Sequence, residues 1–206
     1  THLDGGTMSG AHYLTPTRVA ALGTLAGRTC RALADFEHAG VDRVLQWDLR
    51  HGLRTVEVLA QHVADTHRRE AVEAAAEGAW RVIGELADDL PVQVIHGDIT
   101  DDNVVCSGLD SGRIPNGIID FGDLTRSWPV AELAVAVSSL LRHEGGEPAA
   151  TLPAIAAFHA VRPLSSAEIE ALWPLVVLRA AVLVVSGIHQ AAIDADNAYA
   201  TEALDY

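Results

Sequence analysis

Two stretches of the chain concentrate side chains able to do chemistry. Ile95-His96-Gly97-Asp98-Ile99-Thr100-Asp101-Asp102-Asn103 is one, and Ile118-Ile119-Asp120-Phe121-Gly122-Asp123 is the other. Each adjoins a short apolar run of β character, so its carboxylates stand on a rigid base and can converge. Carboxylate and amide oxygens are the hard ligands that Mg²⁺ prefers, and two or three of them leave room for waters and phosphate oxygens. Asp98, Asn103 and Asp120 offer such a set, and a remaining carboxylate can orient a hydroxyl and accept its proton. The bland alternative is a set of acids that only cap turns.

The flanking sequence supplies the elements that would hold these loops. Residues 1–14 are Gly-rich and aperiodic and read as a hinge or linker. A helix begins at Thr15-Pro16, with Thr15 at the N-cap and Pro16 in the first turn. Leu22, Leu25, Thr29, Leu33 and Phe36 recur at helical spacing as its inward face. Residues 41–55 are mixed, with Trp47-Asp48-Leu49-Arg50 in a loop. A second helical region spans residues 66–89 and Pro91 closes it. Short β runs follow at 92–95, 103–106 and 118–120, with a turn over 107–117. Helices return over 130–142, 147–159 and 167–188, the last opened by a capping box of Ser165 and Glu168. The pattern predicts an α+β domain dominated by helix, with a small β element carrying the polar loops.

Composition removes several classes of function. Of 206 residues, 49% are hydrophobic and 20% charged, enough to bury a sizeable core. The net charge of -14 repels nucleic acid and anionic lipid, so no nucleic acid and no membrane is expected as partner. All 14 basic residues are Arg, so lysine-dependent phosphate loops and Schiff bases are not complete in this chain. Cys30 and Cys106 read as small buried residues of a reducing compartment. The ten histidines lack metal-ligand spacing, so no zinc site is expected. The N-terminus lacks a signal-peptide pattern, and the run from Leu175 to Val185 is short for a bilayer and interrupted by Arg179, which points to a buried helix in a cytoplasmic protein.

The two polar stretches together resemble the catalytic loops of the protein-kinase-like fold, H-R-D-L-x-x-x-N followed by D-F-G. His96, Asp98 and Asn103 keep that spacing, and Gly97 stands in place of the Arg. With Gly97, the loop is similar to that of the aminoglycoside phosphotransferase and choline kinase family, H-G-D-x-x-x-x-N. Residues 118–127 look most like the hydroxylysine-kinase-like members, some of which are fused to class III aminotransferases. The resemblance implies that Asp98 is the catalytic base and that Asn103 and Asp120 hold Mg²⁺ against the phosphates of ATP. It implies that His96 braces the loop by hydrogen bonds. Asp123 would touch a second metal or the substrate, or else stabilise a turn. Asp101 and Asp102 match no role and read as a solvated loop. Trp47 beside Asp48 offers a site for a substrate ammonium group, or else a Trp packed at a helix junction. Asp194, Asp196 and Glu202 make an acidic cluster near the C-terminus, read as a solvated tail.

A kinase also needs a glycine-rich cover over the phosphates and a strand lysine. Gly5 to Gly10 is followed by Ala11-His12, which is no P-loop, and reads as the end of the hinge between two lobes, with residues 1–4 near the adenine. The resemblance therefore covers the C-terminal lobe, residues 15–206, with the N-terminal nucleotide lobe absent from this chain. The expected function is transfer of the γ-phosphoryl group of ATP to a hydroxyl on a small amine-bearing substrate, negligible for this fragment alone. Alternatives are a non-catalytic partner domain derived from that fold and, with less support, a metal-dependent phosphohydrolase.

Overall fold

The computed structural model describes residues 3, 5–107, 114–143 and 145–193. In chain order these form β1 (Gly6–Thr7), α1 (Pro16–Leu33), α2 (Gly52–Leu59), α3 (Thr66–Leu86), β2 (Gln93–Ile95), β3 (Val104–Ser107), β4 (Ile114–Ile118), β5 (Thr125–Ser127), α4 (Pro129–Leu140), α5 (Leu152–Val161) and α6 (Ser166–Ile193). The chain is a helix-dominated α+β fold, as its pattern predicts.

Local chemistry starts the helices. The Thr15 hydroxyl accepts from the Arg18 N–H, and Pro16 opens α1. Asp65 caps α3 by accepting from the Arg68 N–H at 3.0 Å. At α6 the capping box is reciprocal: Glu168 N–H donates to Ser165 Oγ at 3.2 Å and Ser165 N–H to Glu168 Oε2 at 2.9 Å.

The inward face of α1 is Val19, Leu22, Gly23, Ala26, Gly27 and Cys30. This corrects the expected stripe of larger side chains: Leu25 and Thr29 are only partly buried, and Phe36 lies exposed beyond the helix. Small residues win because α1 meets α5 almost backbone to backbone. A Cβ on Gly23 would stand 2.0 Å from the Ala154 carbonyl oxygen.

At the centre lie α4, buried along its whole length, and α6, which packs on α2, α3 and α4. By length and composition alone α6 could cross a membrane, longer than the Leu175–Val185 run suggested. Its contacts with three helices, and its buried Glu168 and Arg179, make it the core helix of this fold.

Two small antiparallel sheets carry the polar loops. One has the order β1-β3-β4, with Gly6 opposite Cys106, Val104 opposite Ile118, and an irregularity between Val105 and Cys106. The other pairs β2 with β5, Ile95 lying opposite Thr125. Three expectations shift here. Gly6–Thr7 is a strand within the supposed hinge, part of the supposed turn over 107–117 is β4, and β5 and α2 had no counterpart in the sequence pattern.

Candidate active site

The first loop runs from the end of β2 to the start of β3, and a buried acid holds its entry. Glu132 of α4 accepts from the His96 N–H at 2.6 Å and the Gly97 N–H at 3.2 Å. Gly97 has φ 82, and a Cβ there would stand 3.2 Å from the Asp123 carbonyl oxygen, so glycine suits the backbone as well as the packing. The His96 ring is fully buried; its Nε2–H donates to the Ile119 carbonyl at 3.0 Å, and its Nδ1 accepts from the Asp98 N–H at 3.3 Å. Burial holds the ring below its ordinary pKa, and the two hydrogen bonds fix the roles of its nitrogens. Phe121 meets the ring edge-on with centroids 4.9 Å apart.

The Asp98 carboxylate is gripped at both oxygens. Arg179 Nη2 donates to Oδ1 at 3.1 Å, and Asn103 Nδ2 donates to Oδ2 at 2.7 Å. Burial pushes its pKa up and the Arg179 guanidinium pulls it down, with Asp123 and Asp120 near enough to raise it as well. Asn103 is itself fixed: its Nδ2 also reaches the Asp98 carbonyl at 3.0 Å, and its own carbonyl accepts from the Ile119 N–H at 3.0 Å. That last bond ties the first loop to the residue preceding Asp120. Asp120 is in the left-handed region at φ 58 and accepts from the Gly122 N–H at 3.1 Å. Asp98, Asn103 and Asp120 therefore stand together, and the half-buried Asp123 lines a small cavity beside Gly97 and Trp47.

Other expected site residues have different surroundings. The Asp48 side chain is fully buried, accepting from Ser127 Oγ at 2.6 Å, Arg50 Nη2 at 2.9 Å and the Arg50 N–H at 3.1 Å. It joins β5 to the turn after Trp47, and it lines the same small cavity as Trp47 and Asp123. Trp47 is half-buried, with the Arg179 guanidinium carbon 5.1 Å from its ring centroid. Asp101 is not simply solvated. It accepts from Ser139 Oγ at 2.9 Å, its N–H donates to the same oxygen at 3.2 Å, and its carbonyl accepts from the Met8 N–H at 3.0 Å. Asp102 is exposed and accepts from Ser9 Oγ. Arg43 donates to the carbonyls of Gly122 and Leu124 and braces the second loop. Residues 1, 2 and 4 of the expected adenine contact, and Asp194, Asp196 and Glu202, lie outside the described residues.

The donor set has a definite chemical preference. Among the described residues no group of three or more His, Cys, Asp or Glu side chains is arranged to hold a metal. Asn103 uses its NH₂ on Asp98, which leaves its amide oxygen for a cation, and Asp120 adds a carboxylate. Two hard oxygen ligands fit Mg²⁺ that keeps waters and phosphate oxygens, and do not fit an all-protein cage. The sequence pattern assigns no site role to Glu132 or Arg179. Their signal was a lone charge in an otherwise apolar helical stretch, since each is buried and such a charge needs a partner.

Comparison with known proteins places the chain in a family and a fold. The model of the phosphotransferase enzyme family matches residues 1–166. The chain is 25% identical over 167 residues to mouse (Mus musculus) hydroxylysine kinase, covering 77% of this chain and 44% of that protein. Among solved structures, a microcompartment-associated aminopropanol kinase superposes with TM-score 0.66 at 20% identity, over 100% of this chain and 63% of its own. The GDP complex of aminoglycoside 2'-phosphotransferase-IIIa gives TM-score 0.66 at 18% identity, over 99% and 66% respectively. The chain thus spans less than half of the curated relative and under two thirds of these solved chains. With that family model matched over most of its length, the chain belongs to the phosphotransferase enzyme family.

Proposed function

We propose that residues 1–206 are the catalytic-loop lobe of an ATP-dependent kinase that phosphorylates a hydroxyl group on a small amine-bearing molecule. The observation that carries this reading is the Asp98 carboxylate, held by Asn103 and Arg179 next to Asp120. Asp98 accepts the proton of the acceptor hydroxyl as that oxygen bonds to the γ-phosphorus and the bond to the ADP oxygen breaks. Asn103 and Asp120 would hold Mg²⁺, whose charge would neutralise the nucleotide phosphates. Asp123 and Asp98 make the acceptor side acidic, which suits an ammonium group. Acceptors carrying both an amine and a hydroxyl are common to the relatives' names, hydroxylysine and aminopropanol kinase among them. A lobe that covers the nucleotide would lie elsewhere in the whole protein, in keeping with the share of its relatives that this chain spans.

The test uses the whole protein and a panel of amino alcohols and hydroxylated amino acids, reading ADP release. Asp98→Asn keeps the shape but removes the proton acceptor, so kcat should fall about 10²–10⁴-fold with Mg²⁺-ATP affinity nearly unchanged. Asp120→Asn should weaken Mg²⁺-ATP binding as well as turnover, read by calorimetry. An active enzyme unimpaired by Asp98→Asn would refute the base. A protein silent on every acceptor and without Mg²⁺-ATP binding would be a non-catalytic relative of the fold.

A further inference from the structure

Arg179 is the buried guanidinium of an otherwise apolar stretch of α6, between buried Leu178 and Ala181 and only 3% exposed. A charge in that place is strongly unfavourable unless it is paired. Its Nη2 donates to Asp98 Oδ1 at 3.1 Å, and its guanidinium carbon lies over the Trp47 ring, 5.1 Å from the centroid. Seven residues further along, Ser186 accepts from Gln46 Nε2 at 2.7 Å. Residues seven apart share a helix face, so α6 holds the 46–47 segment at two points and keeps the indole over the guanidinium. We propose that Arg179 is a positioning residue for Asp98, setting the plane of its carboxylate from the core of the molecule while Trp47 keeps the guanidinium in place.

The torsion of a carboxylate about its last bond is broad and two-fold, so one hydrogen bond leaves it loosely set. Here each oxygen has its own donor, Arg179 on Oδ1 and Asn103 on Oδ2. Each oxygen keeps a further lone pair with which to receive a hydroxyl proton. The two grips differ in kind. Asn103 belongs to the same loop as Asp98, whereas Arg179 belongs to α6 and refers Asp98 to the core. In-line transfer needs the acceptor oxygen aligned with phosphorus, and a misplacement of about 1 Å is worth about 10²-fold in rate.

The inference rests on Asp98 being the base, so the test is a double-mutant cycle in the whole protein, with kcat and both KM values read by ADP release. Arg179→Met alone should lower kcat about 10–100-fold with the KM for Mg²⁺-ATP unchanged. In the Asp98→Asn background the same change should alter the residual rate by less than about twofold, because Arg179 then has no carboxylate to orient. Arg179→Lys should recover part of the loss. An equal loss in both backgrounds, or no loss in either, would overturn the positioning role while the base stands. If Arg179→Met fails to show a cooperative thermal melt, the cycle is run with Arg179→Lys and judged by the same criterion. An Asp98→Asn enzyme of undiminished kcat, or a protein inactive on every acceptor, removes the base assignment and the positioning role with it.

Discussion

Glu132 lies in a helix without an exposed residue, and burial raises its carboxyl to about 7 even though the Gly97 and His96 N–H groups favour the charged form. Between the ordinary value of 4.5 and about 7, the folded protein holds a proton that the unfolded chain releases. The contribution of Glu132 to stability therefore falls as pH rises through that window and levels off above about 7. At about 1.4 kcal/mol per pH unit the fall is about 3 kcal/mol. Glu132→Gln keeps one acceptor and loses the charge, so its stability relative to the unaltered protein should improve between pH 5 and pH 8, measured by urea unfolding at each. Glu132→Ala should be destabilising at both, since each orphaned buried N–H costs about 1–3 kcal/mol. A Gln variant with the same relative stability at both pH values would show that Glu132 is already charged at pH 5. Both Glu132 and Arg179 are legible as odd charges in apolar runs, but their partners are not. His96 lies 36 residues from Glu132 and Asp98 lies 81 from Arg179, separations that no local pattern encodes.

The helices depend on where their glycines fall. Gly23 of α1 sits against the Ala154 carbonyl, 2.0 Å from where a Cβ would stand, whereas nothing lies within 4 Å of one on Gly78 in α3. Gly23→Ala should force α1 and α5 apart and destabilise the protein by about 1–3 kcal/mol or more. Gly78→Ala should stabilise it by about 0.5–1 kcal/mol, since only the unfolded chain loses freedom. Urea midpoints of the two variants should move in opposite directions, and a Gly23→Ala protein as stable as the original would refute the close approach. The same contrast explains what sequence made visible at this scale. Thr15, Pro16 and the Ser165–Glu168 box are local signals, and the structure uses each of them. The buried stripe of α1 departs from the expected one because Gly23, Ala26 and Gly27 make the close contact, where spacing alone points to the larger side chains. β5 is a short polar strand, Thr-Arg-Ser, whose identity comes from pairing with β2 about thirty residues earlier. Such pairing is a property of the fold rather than of the segment.

Across the whole molecule, the acidic site stands next to apolar side chains left open to solvent. Phe121 is 49% exposed and Ile119, just after β4, 39%. On the proposed reading this face meets the nucleotide and the lobe that covers it. Charge developing on a transferred phosphoryl group needs cationic or hydrogen-bond donors in a site without bulk water. Among the described residues, two arginines that reach the loops already serve the protein: Arg179 binds Asp98, and Arg43 binds the carbonyls of Gly122 and Leu124. No lysine exists in the sequence to take that part. Residues 1–206 alone should therefore bind Mg²⁺-ATP weakly by calorimetry and release negligible ADP with any amino alcohol or hydroxylated amino acid. Supplying the remainder of the whole protein as a separate polypeptide should raise nucleotide affinity and turnover together, and protect the Phe121 face from an apolar fluorescent dye. Robust turnover by the 206-residue chain on its own would mean that its arginines suffice and that no covering lobe is required.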